Sequence, residues 1–245
     1  MTDCDRLNIV YQDQWLVAIN KPAGLLVHRS PIDRYETRFA VQTLRDQLGR
    51  LVYPVHRLDK PTSGLLLFAL DPQTARNLAD QFSHGHVEKR YLAIVRGHCP
   101  DALDIDHPLR DEVDSQGQRI TDGISRDALT SVSCLRRWEL PLAVDRYPQA
   151  RYSLAQLRPL TGRHRQLRRH LKHVAHPIIG DVRYGKGVHN RFFREHFGVA
   201  RLLLAAVELE IDHPISAQRL RIRCPLAEDF ERAITCLTEC EASAA

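Results

Sequence analysis

The sequence predicts an α+β fold, in which a mixed and mainly antiparallel sheet is flanked by helices. Predicted strands outnumber predicted helices and do not alternate strictly with them, which argues against a doubly wound parallel sheet. The apolar run "SGLLLFAL" (63–70) is typical of a buried strand. In "EKRYLAIVRG" (88–97), Tyr91, Ala93 and Val95 fall on one face, as in a half-buried strand.

The N-terminal part of the chain contains clear start and stop signals. Residues 7–24 are predicted to form two short strands around a "QDQ" turn, closed by proline and glycine. Residues 39–49 suit a helix that ends at its glycine. A second helix is predicted over 71–82, because Asp71 is a favoured N-cap and Pro72 is favoured at the first helical position.

The C-terminal part has weaker signals at first and a helix later. Residues 98–127 are rich in Asp, Gly, Ser and Gln, so they are predicted to be an excursion or flexible insert. With 245 residues, the chain is expected to fold as one compact unit, a single domain over 1–245. Further predictions are strands at 129–139 and 151–158, a helix from 163, a glycine-rich stretch at 180–187, strands at 201–211 and 218–223, a helix at 226–238 and a frayed tail.

Composition favours a cytoplasmic protein. Hydrophobic residues make up 43% of the chain, and the longest apolar runs are far too short to cross a bilayer. The acidic N-terminus "MTDCDRLNIV" does not resemble a signal peptide. Scattered cysteines in such a protein are expected to be free thiols. They are Cys4, Cys99, Cys134, Cys224, Cys236 and Cys240.

Basic residues are concentrated in one segment although the net charge is only +5. "TGRHRQLRRHLKH" (161–173) contains five Arg or Lys and three His and no acid, which indicates a polyanionic partner. On a helix, its leucines form an apolar stripe, and Arg168 falls at the border of that stripe. Arg165, Arg169 and Lys172 fall roughly opposite the stripe, where they could bind phosphates.

Three other chemistries have weak signatures. The histidines of 170–176 are not favoured as metal ligands, because Pro177 ends the helix and no acid or cysteine lies near. "GDVRYGKG" (180–187) lacks the Ser or Thr of a phosphate loop. A serine hydrolase with Ser63 as nucleophile and His56 as base lacks the GxSxG elbow. Neither a metal nor a nucleotide cofactor is therefore expected.

Asp59 is the candidate catalytic carboxylate. It lies between Arg57 and Lys60 in "HRLDKPTSGLLLFAL". A nearby arginine lowers the pKa of a carboxylate, so Asp59 is expected to stay ionised and to act as a nucleophile or base. The alternative is an aspartate that caps the turn "DKPTSG" together with Thr62 and Ser63.

Four blocks in order resemble the RluA-type family of RNA pseudouridine synthases. The resemblance covers nearly the whole chain and implies a pseudouridine synthase fold around a central RNA-binding cleft, with no N-terminal S4 domain. It implies a cofactor-free isomerisation and makes the catalytic interpretation of Asp59 the favoured one. The blocks are "NKPAG" (20–24), "HRLDKPTSGLLLFA" (56–69), "EKRYLAIVRG" (88–97), and "TGRHRQLRRH" (161–170) followed by "HPIIGD" (176–181).

The resemblance also implies roles for other residues. Tyr91 matches the tyrosine that stacks on the target base, and Arg168 matches the basic residue that pairs with the catalytic carboxylate. Arg57 matches the arginine that helps to extrude the target base, and Leu167 is expected to line the pocket. Expected RNA contacts of the basic segment are Arg163, Arg165, Arg169 and Lys172.

Within that family, four stretches resemble the subgroup that modifies uridine 65 of tRNA. The stretches that carry this similarity are "LLVHRSPIDR" (25–34), "YPQARYSL" (147–154), "RRHLKHVAHPIIGD" (168–181) and "EHFGVARLLL" (195–204). The expected partner is tRNA, with no membrane and no obligatory protein partner. Two alternatives remain: a ribosomal RNA pseudouridine synthase and a catalytically silent RNA-binding protein. Arg165 and Ala205 both depart from the family pattern, which has His at these positions, so RNA contacts or packing could differ there.

Overall fold

A computed structural model describes residues 6–29, 35–112 and 120–243. Within these ranges the chain divides into two compact units. Of the described residues, the first unit contains 6–29, 35–89, 110–112, 120–125 and 206–225, and the second contains 90–109, 126–205 and 226–243. No helix in the described ranges is long and apolar enough to span a membrane.

The described elements are twelve strands and five helices, which confirms the α+β class. The strands are β1 (Asn8–Gln12), β2 (Leu16–Lys21), β3 (Tyr53–Pro54), β4 (Ser63–Ala69), β5 (Glu88–Arg96), β6 (Ala102–Asp106), β7 (Leu109–Arg110), β8 (Ser125–Arg126), β9 (Leu129–Leu140), β10 (Ala150–Pro159), β11 (Leu204–Asp212) and β12 (Arg219–Arg223). The helices are α1 (Ala40–Leu48), α2 (Pro72–Ser83), α3 (Gln166–His173), α4 (Gly187–Phe197) and α5 (Glu228–Ala242).

In the first unit, β4 lies between β2 and β11, and β12 pairs with β11. All seven residues of β4 are buried, which explains the unbroken apolar run in the sequence. Gly64 has a φ of +104°, and a Cβ atom there would collide with the backbone of Ala206 on β11. The glycine therefore permits the close approach of these two strands, directly after the loop that carries Asp59.

In the second unit, β5, β10, β9 and β6 are neighbours in that order and pair antiparallel. The helix α3 packs on this sheet through Leu167 and Leu171, which belong to a buried apolar cluster with Ala93 and Val95. Tyr91 packs against the same cluster. The apolar stripe predicted for α3 is therefore confirmed, and it positions the basic side chains of the helix.

Several parts of the chain differ from the sequence-based predictions. Part of the expected insert 98–127 is strand β6, whose Leu103 and Ile105 point inward between exposed residues; the abundant acids hid this alternation. Residues 113–119 of that segment lie outside the described ranges. Helix α4 was not predicted, and its aromatic residues Phe192 and Phe193 are buried. Helix α5 continues to Ala242, where the sequence indicated a frayed tail.

A hydrogen bond explains the longer C-terminal helix. The Glu241 carboxylate accepts the N–H of Glu139 at 3.0 Å, which holds the last turn of α5 against β9. Glu241 also lies 3.7 Å from the Arg136 guanidinium. Local sequence could not indicate these partners, because they are distant along the chain.

Candidate active site

The loop that carries Asp59 is held by a buried lysine. Lys21, at the end of β2, is fully buried, and its ammonium group donates to the carbonyls of Pro22 at 2.9 Å, Leu25 at 2.8 Å and Lys60 at 3.2 Å. The N–H of Gly24 donates to the same Lys60 carbonyl at 2.8 Å. The blocks "NKPAG" and "HRLDKPTSG" are therefore tied together, and Lys21 is a residue whose importance the sequence analysis missed.

Asp59 itself is half-buried and begins a turn. Its carbonyl accepts the Thr62 N–H at 3.0 Å, so the backbone closes the turn that the sequence predicted. Of the flanking cations, Arg57 is exposed, and Lys60 forms an ion pair with Glu36 at 2.7 Å. The loop thus presents a carboxylate and an arginine directly before the fully buried strand β4.

His56 does not form a serine hydrolase site with Ser63. Nε2 of His56 accepts the Leu67 N–H at 3.0 Å, and its ring stacks on Phe82 with centroids 4.9 Å apart. Burial, and then the charge of Lys89, lower the pKa of His56 to about 3. A neutral imidazole whose lone pair already accepts a backbone N–H cannot serve Ser63 as a base.

Arg168 is buried in a bidentate ion pair with Asp181. Its Nε donates to Asp181 Oδ2 at 2.7 Å and its Nη2 donates to Oδ1 at 2.9 Å. The two side chains are 6% and 1% exposed. Burial alone would raise the pKa of Asp181, but Arg168 and the N–H groups of Tyr184 and Arg183 hold it below its ordinary value. The sequence placed Arg168 at the border of the apolar stripe but did not identify Asp181 as its partner, although Asp181 ends the block "HPIIGD" (176–181).

The basic segment starts later as a helix than the sequence predicted. Arg165 has a φ of +54° and is the residue before α3, so Arg163 and Arg165 lie on the loop that leads into the helix. The Gln166 side chain accepts the Arg163 N–H at 2.9 Å and donates to the Leu129 carbonyl at 2.9 Å, which stabilises this loop. Lys172 is exposed and Arg169 is partly exposed, as expected of the polar side.

Three other residues that the sequence analysis named lie at buried or half-buried positions. Leu167 is 7% exposed within the apolar cluster of the second unit. Ala205, one of the departures from the family pattern, is 2% exposed on β11. Tyr91 is half-buried and pairs across strands with Leu157 of β10.

The histidines of 170–176 are used in hydrogen bonds and stacking. His170 is fully buried, with Nδ1 3.0 Å from Thr130 Oγ1 and Nε2 3.0 Å from the His107 carbonyl. The rings of His107 and His173 stack with centroids 3.7 Å apart. In the ranges that the structure describes, no group of three or more potential ligands could hold a metal ion.

The cysteines that the structure describes are free, as predicted. Burial raises the pKa of Cys224 to about 12 and, with its neighbour Cys134, that of Cys99 to about 11. Thiols with raised pKa values are poor nucleophiles at neutral pH. Cys4 lies outside the described ranges, as do residues 30–34 of the subgroup stretch 25–34.

Comparison with known proteins identifies the class of this chain. The family model described as RNA pseudouridylate synthase matches residues 15–173. The chain is 50% identical over 227 residues to the tRNA pseudouridine synthase C of Vibrio cholerae. The aligned residues cover 92% of this chain and 93% of the relative. The chain is 50% identical over 218 residues to the protein of the same name from Pasteurella multocida, covering 88% and 90%.

A solved structure agrees with this class. "Human RNA Pseudouridylate Synthase Domain Containing 4" superposes with a TM-score of 0.69 at 26% identity, covering 94% of this chain and 93% of the other. The protein is thus an RNA-modifying isomerase by its fold and its sequence motifs. More specifically, the chain belongs to the family of RNA pseudouridylate synthases, and its motifs are of the RluA type.

Proposed function

We propose that this protein isomerises one uridine of tRNA to pseudouridine, at position 65 near the junction of the T stem and the acceptor stem. The observation that carries the proposal is the 50% identity over 92% of the chain to a relative named as a tRNA pseudouridine synthase. The sequence blocks that contain Asp59, Tyr91 and Arg168 support the catalytic part of the proposal. The reaction would take place in the cytoplasm.

The proposed reaction needs no redox step and no cofactor. The bond between N1 of uracil and C1′ of the ribose breaks, the base turns, and C5 of the ring bonds to the same C1′. The proton on C5 leaves and N1 gains a proton, so the atoms of substrate and product balance. Asp59 would act beside the sugar, either by attacking C1′ or by abstracting the proton on the neighbouring sugar carbon.

The other proposed roles follow the family motifs. Tyr91 would stack on the uracil and assist the proton transfer, and Leu167 would line its pocket. Arg168 would be the basic partner of the catalytic carboxylate. Arg57, which is exposed on the Asp59 loop, would help to extrude the base, since a base inside a duplex must leave the stack before its sugar can react. Phosphate contacts would come from Arg163, Arg165, Arg169 and Lys172.

Replacement of Asp59 by Asn tests the proposal. Asp59→Asn should abolish pseudouridine formation and leave tRNA binding largely intact, because the amide keeps the shape but loses the charge. Tritium release from tRNA labelled at C5 of uridine measures the first, and filter binding measures the second. Asp46→Asn is a matched control, since Asp46 is exposed on α1 and its carboxylate lies 2.8 Å from the guanidinium of the adjacent Arg45.

The target is tested by mapping pseudouridine in RNA from cells that lack the gene, before and after purified protein is added. Modification of one uridine at position 65 of tRNA is the expected result. Modification confined to ribosomal RNA would refute the proposed substrate, and an active Asp59→Asn variant would refute the proposed chemistry.

A further inference from the structure

The loop after Ile179 forms a rigid carboxylate cradle. Oδ1 of Asp181 accepts the N–H groups of Arg183 at 2.9 Å and Tyr184 at 3.0 Å, so the side chain is fixed by its own loop. Asn190 of α4 holds the backbone on both sides: it donates to the Asp181 carbonyl at 3.0 Å and accepts the Gly180 N–H at 2.8 Å. These hydrogen bonds therefore fix the direction of the Asp181 carboxylate independently of its contact with Arg168.

The cradle fixes the plane of the Arg168 guanidinium. Asp181 binds Nε and Nη2, which lie on one edge of the group, at 2.7 and 2.9 Å. The ring of Tyr184 packs over the guanidinium, with its centroid 5.3 Å from Cζ. Because a guanidinium is planar, two bonds on one edge determine where the remaining nitrogen, Nη1, points, and the contact with Tyr184 further restricts the group.

The burial of this pair favours a role in orientation. A buried ion pair is weak evidence for stability, since apolar side chains of similar volume can replace it without loss. A bidentate contact does, however, restrict a long side chain to one conformation. An arginine that must meet a catalytic carboxylate in one geometry benefits from that restriction, because small displacements of catalytic groups slow reactions strongly.

We propose that Asp181 and Tyr184 are positioning residues of the isomerisation, which act by holding Arg168 in its reactive orientation. The inference rests on the proposed function, in which Arg168 is the partner of Asp59. Asp181 and Tyr184 do not need to touch the RNA; they act through the guanidinium. The segment "GDVRY" is thereby assigned a role in the reaction.

The test compares the variants Asp181→Asn and Tyr184→Leu with the unaltered protein. Single-turnover rates and tRNA dissociation constants are measured separately. Asp181→Asn should lower the rate roughly tenfold to a hundredfold, with tRNA affinity within about threefold, because the loss concerns geometry at the reacting atoms. Tyr184→Leu should cause a smaller loss of the same kind, and Tyr184→Phe should restore the rate because it keeps the ring.

A double variant separates positioning from loss of structure. Added to Arg168→Lys, which cannot form the bidentate contact, Asp181→Asn should slow the reaction much less than it does alone. Asp229→Asn is the matched control: Asp229 binds Arg201 in the same bidentate manner, at 2.8 Å for both bonds, and no role in the reaction is proposed for it. Circular dichroism melts establish that each variant is folded at the assay temperature.

The outcomes distinguish the two proposals. If Asp59→Asn is inactive and Asp181→Asn reacts at the unaltered rate, the positioning inference is wrong and the proposed function stands. If the double variant loses rate by the product of the two single-variant factors for Asp181→Asn and Arg168→Lys, the inference is also overturned, because Asp181 then does not act through Arg168. If Asp59→Asn is active, the proposed function itself is wrong.

Discussion

Replacement of the buried Lys21 by Met should destabilise the protein. The ammonium group donates to three carbonyls, of Pro22, Leu25 and Lys60, at distances between 2.8 and 3.2 Å. Hydrogen bonds from a charged donor are worth about 1.5–3 kcal/mol each, which gives a gross loss of about 5–9 kcal/mol. Removal of a buried charge recovers several kcal/mol of desolvation energy, so a net loss of about 2–4 kcal/mol remains.

The expected loss is measurable by thermal unfolding. For a chain of this size, each kcal/mol lowers Tm by about 2–4 °C, so Lys21→Met should melt about 5–15 °C lower. Lys60→Met is the control, because Lys60 pairs with Glu36 at the surface, where ion pairs contribute about 0–1 kcal/mol. A Lys21→Met protein that melts with the unaltered protein would refute the conclusion that this lysine holds the Asp59 loop.

Two further predictions concern pH and backbone geometry. Burial lowers the pKa of His56 to about 3 and that of His189 to about 4 in the folded protein, from an ordinary value of 6.5. Below pH 6.5 the unfolded chain therefore binds more protons than the folded protein does. The free energy of unfolding should consequently fall as the pH is lowered from 6.5 towards 4. In urea unfolding at several pH values, His56→Gln should reduce this slope by about 1.4 kcal/mol per pH unit, and an unchanged slope would contradict the burial of a neutral His56. Gly64→Ala should lower the free energy of unfolding by about 2–4 kcal/mol, because the added Cβ would collide with the backbone of Ala206. Gly49→Ala is the control: Gly49 also has a positive φ but has open space around it, so the loss there should be only about 1 kcal/mol. Equal losses for the two variants in denaturant melts would refute the close approach of β4 and β11.

Local patterns were sufficient for the elements that carry the motifs. The capped helix α2, the apolar strand β4 and the alternating strand β5 follow from periodicity and from the residues at their ends, because these signals act within a few residues. The apolar stripe of α3 was likewise predictable from the spacing of Leu167 and Leu171. The resemblance to the family then indicated which polar residues among these elements deserve a catalytic role.

The features that the sequence did not predict depend on partners far along the chain. From the sequence alone, Lys21 would be taken for an ordinary surface cation. The structure shows that its ammonium group donates to the carbonyl of Lys60. Asp181 reads as a loop residue, yet it binds Arg168 on the preceding helix. Helix α4 lacks a side-chain cap and starts at a glycine, so the usual start signals are missing.

The discontinuity of the first unit has a consequence for synthesis of the protein. Strand β4 has emerged from the ribosome long before β11, its neighbour in the sheet, because the first unit includes residues 206–225. Until then, most of one edge of this seven-residue apolar strand has no partner, because β3 pairs only with its last two residues, and such edges promote association between chains. The nascent chain therefore has to be protected over most of its translation, and a product truncated before residue 206 should aggregate rather than accumulate as a folded fragment.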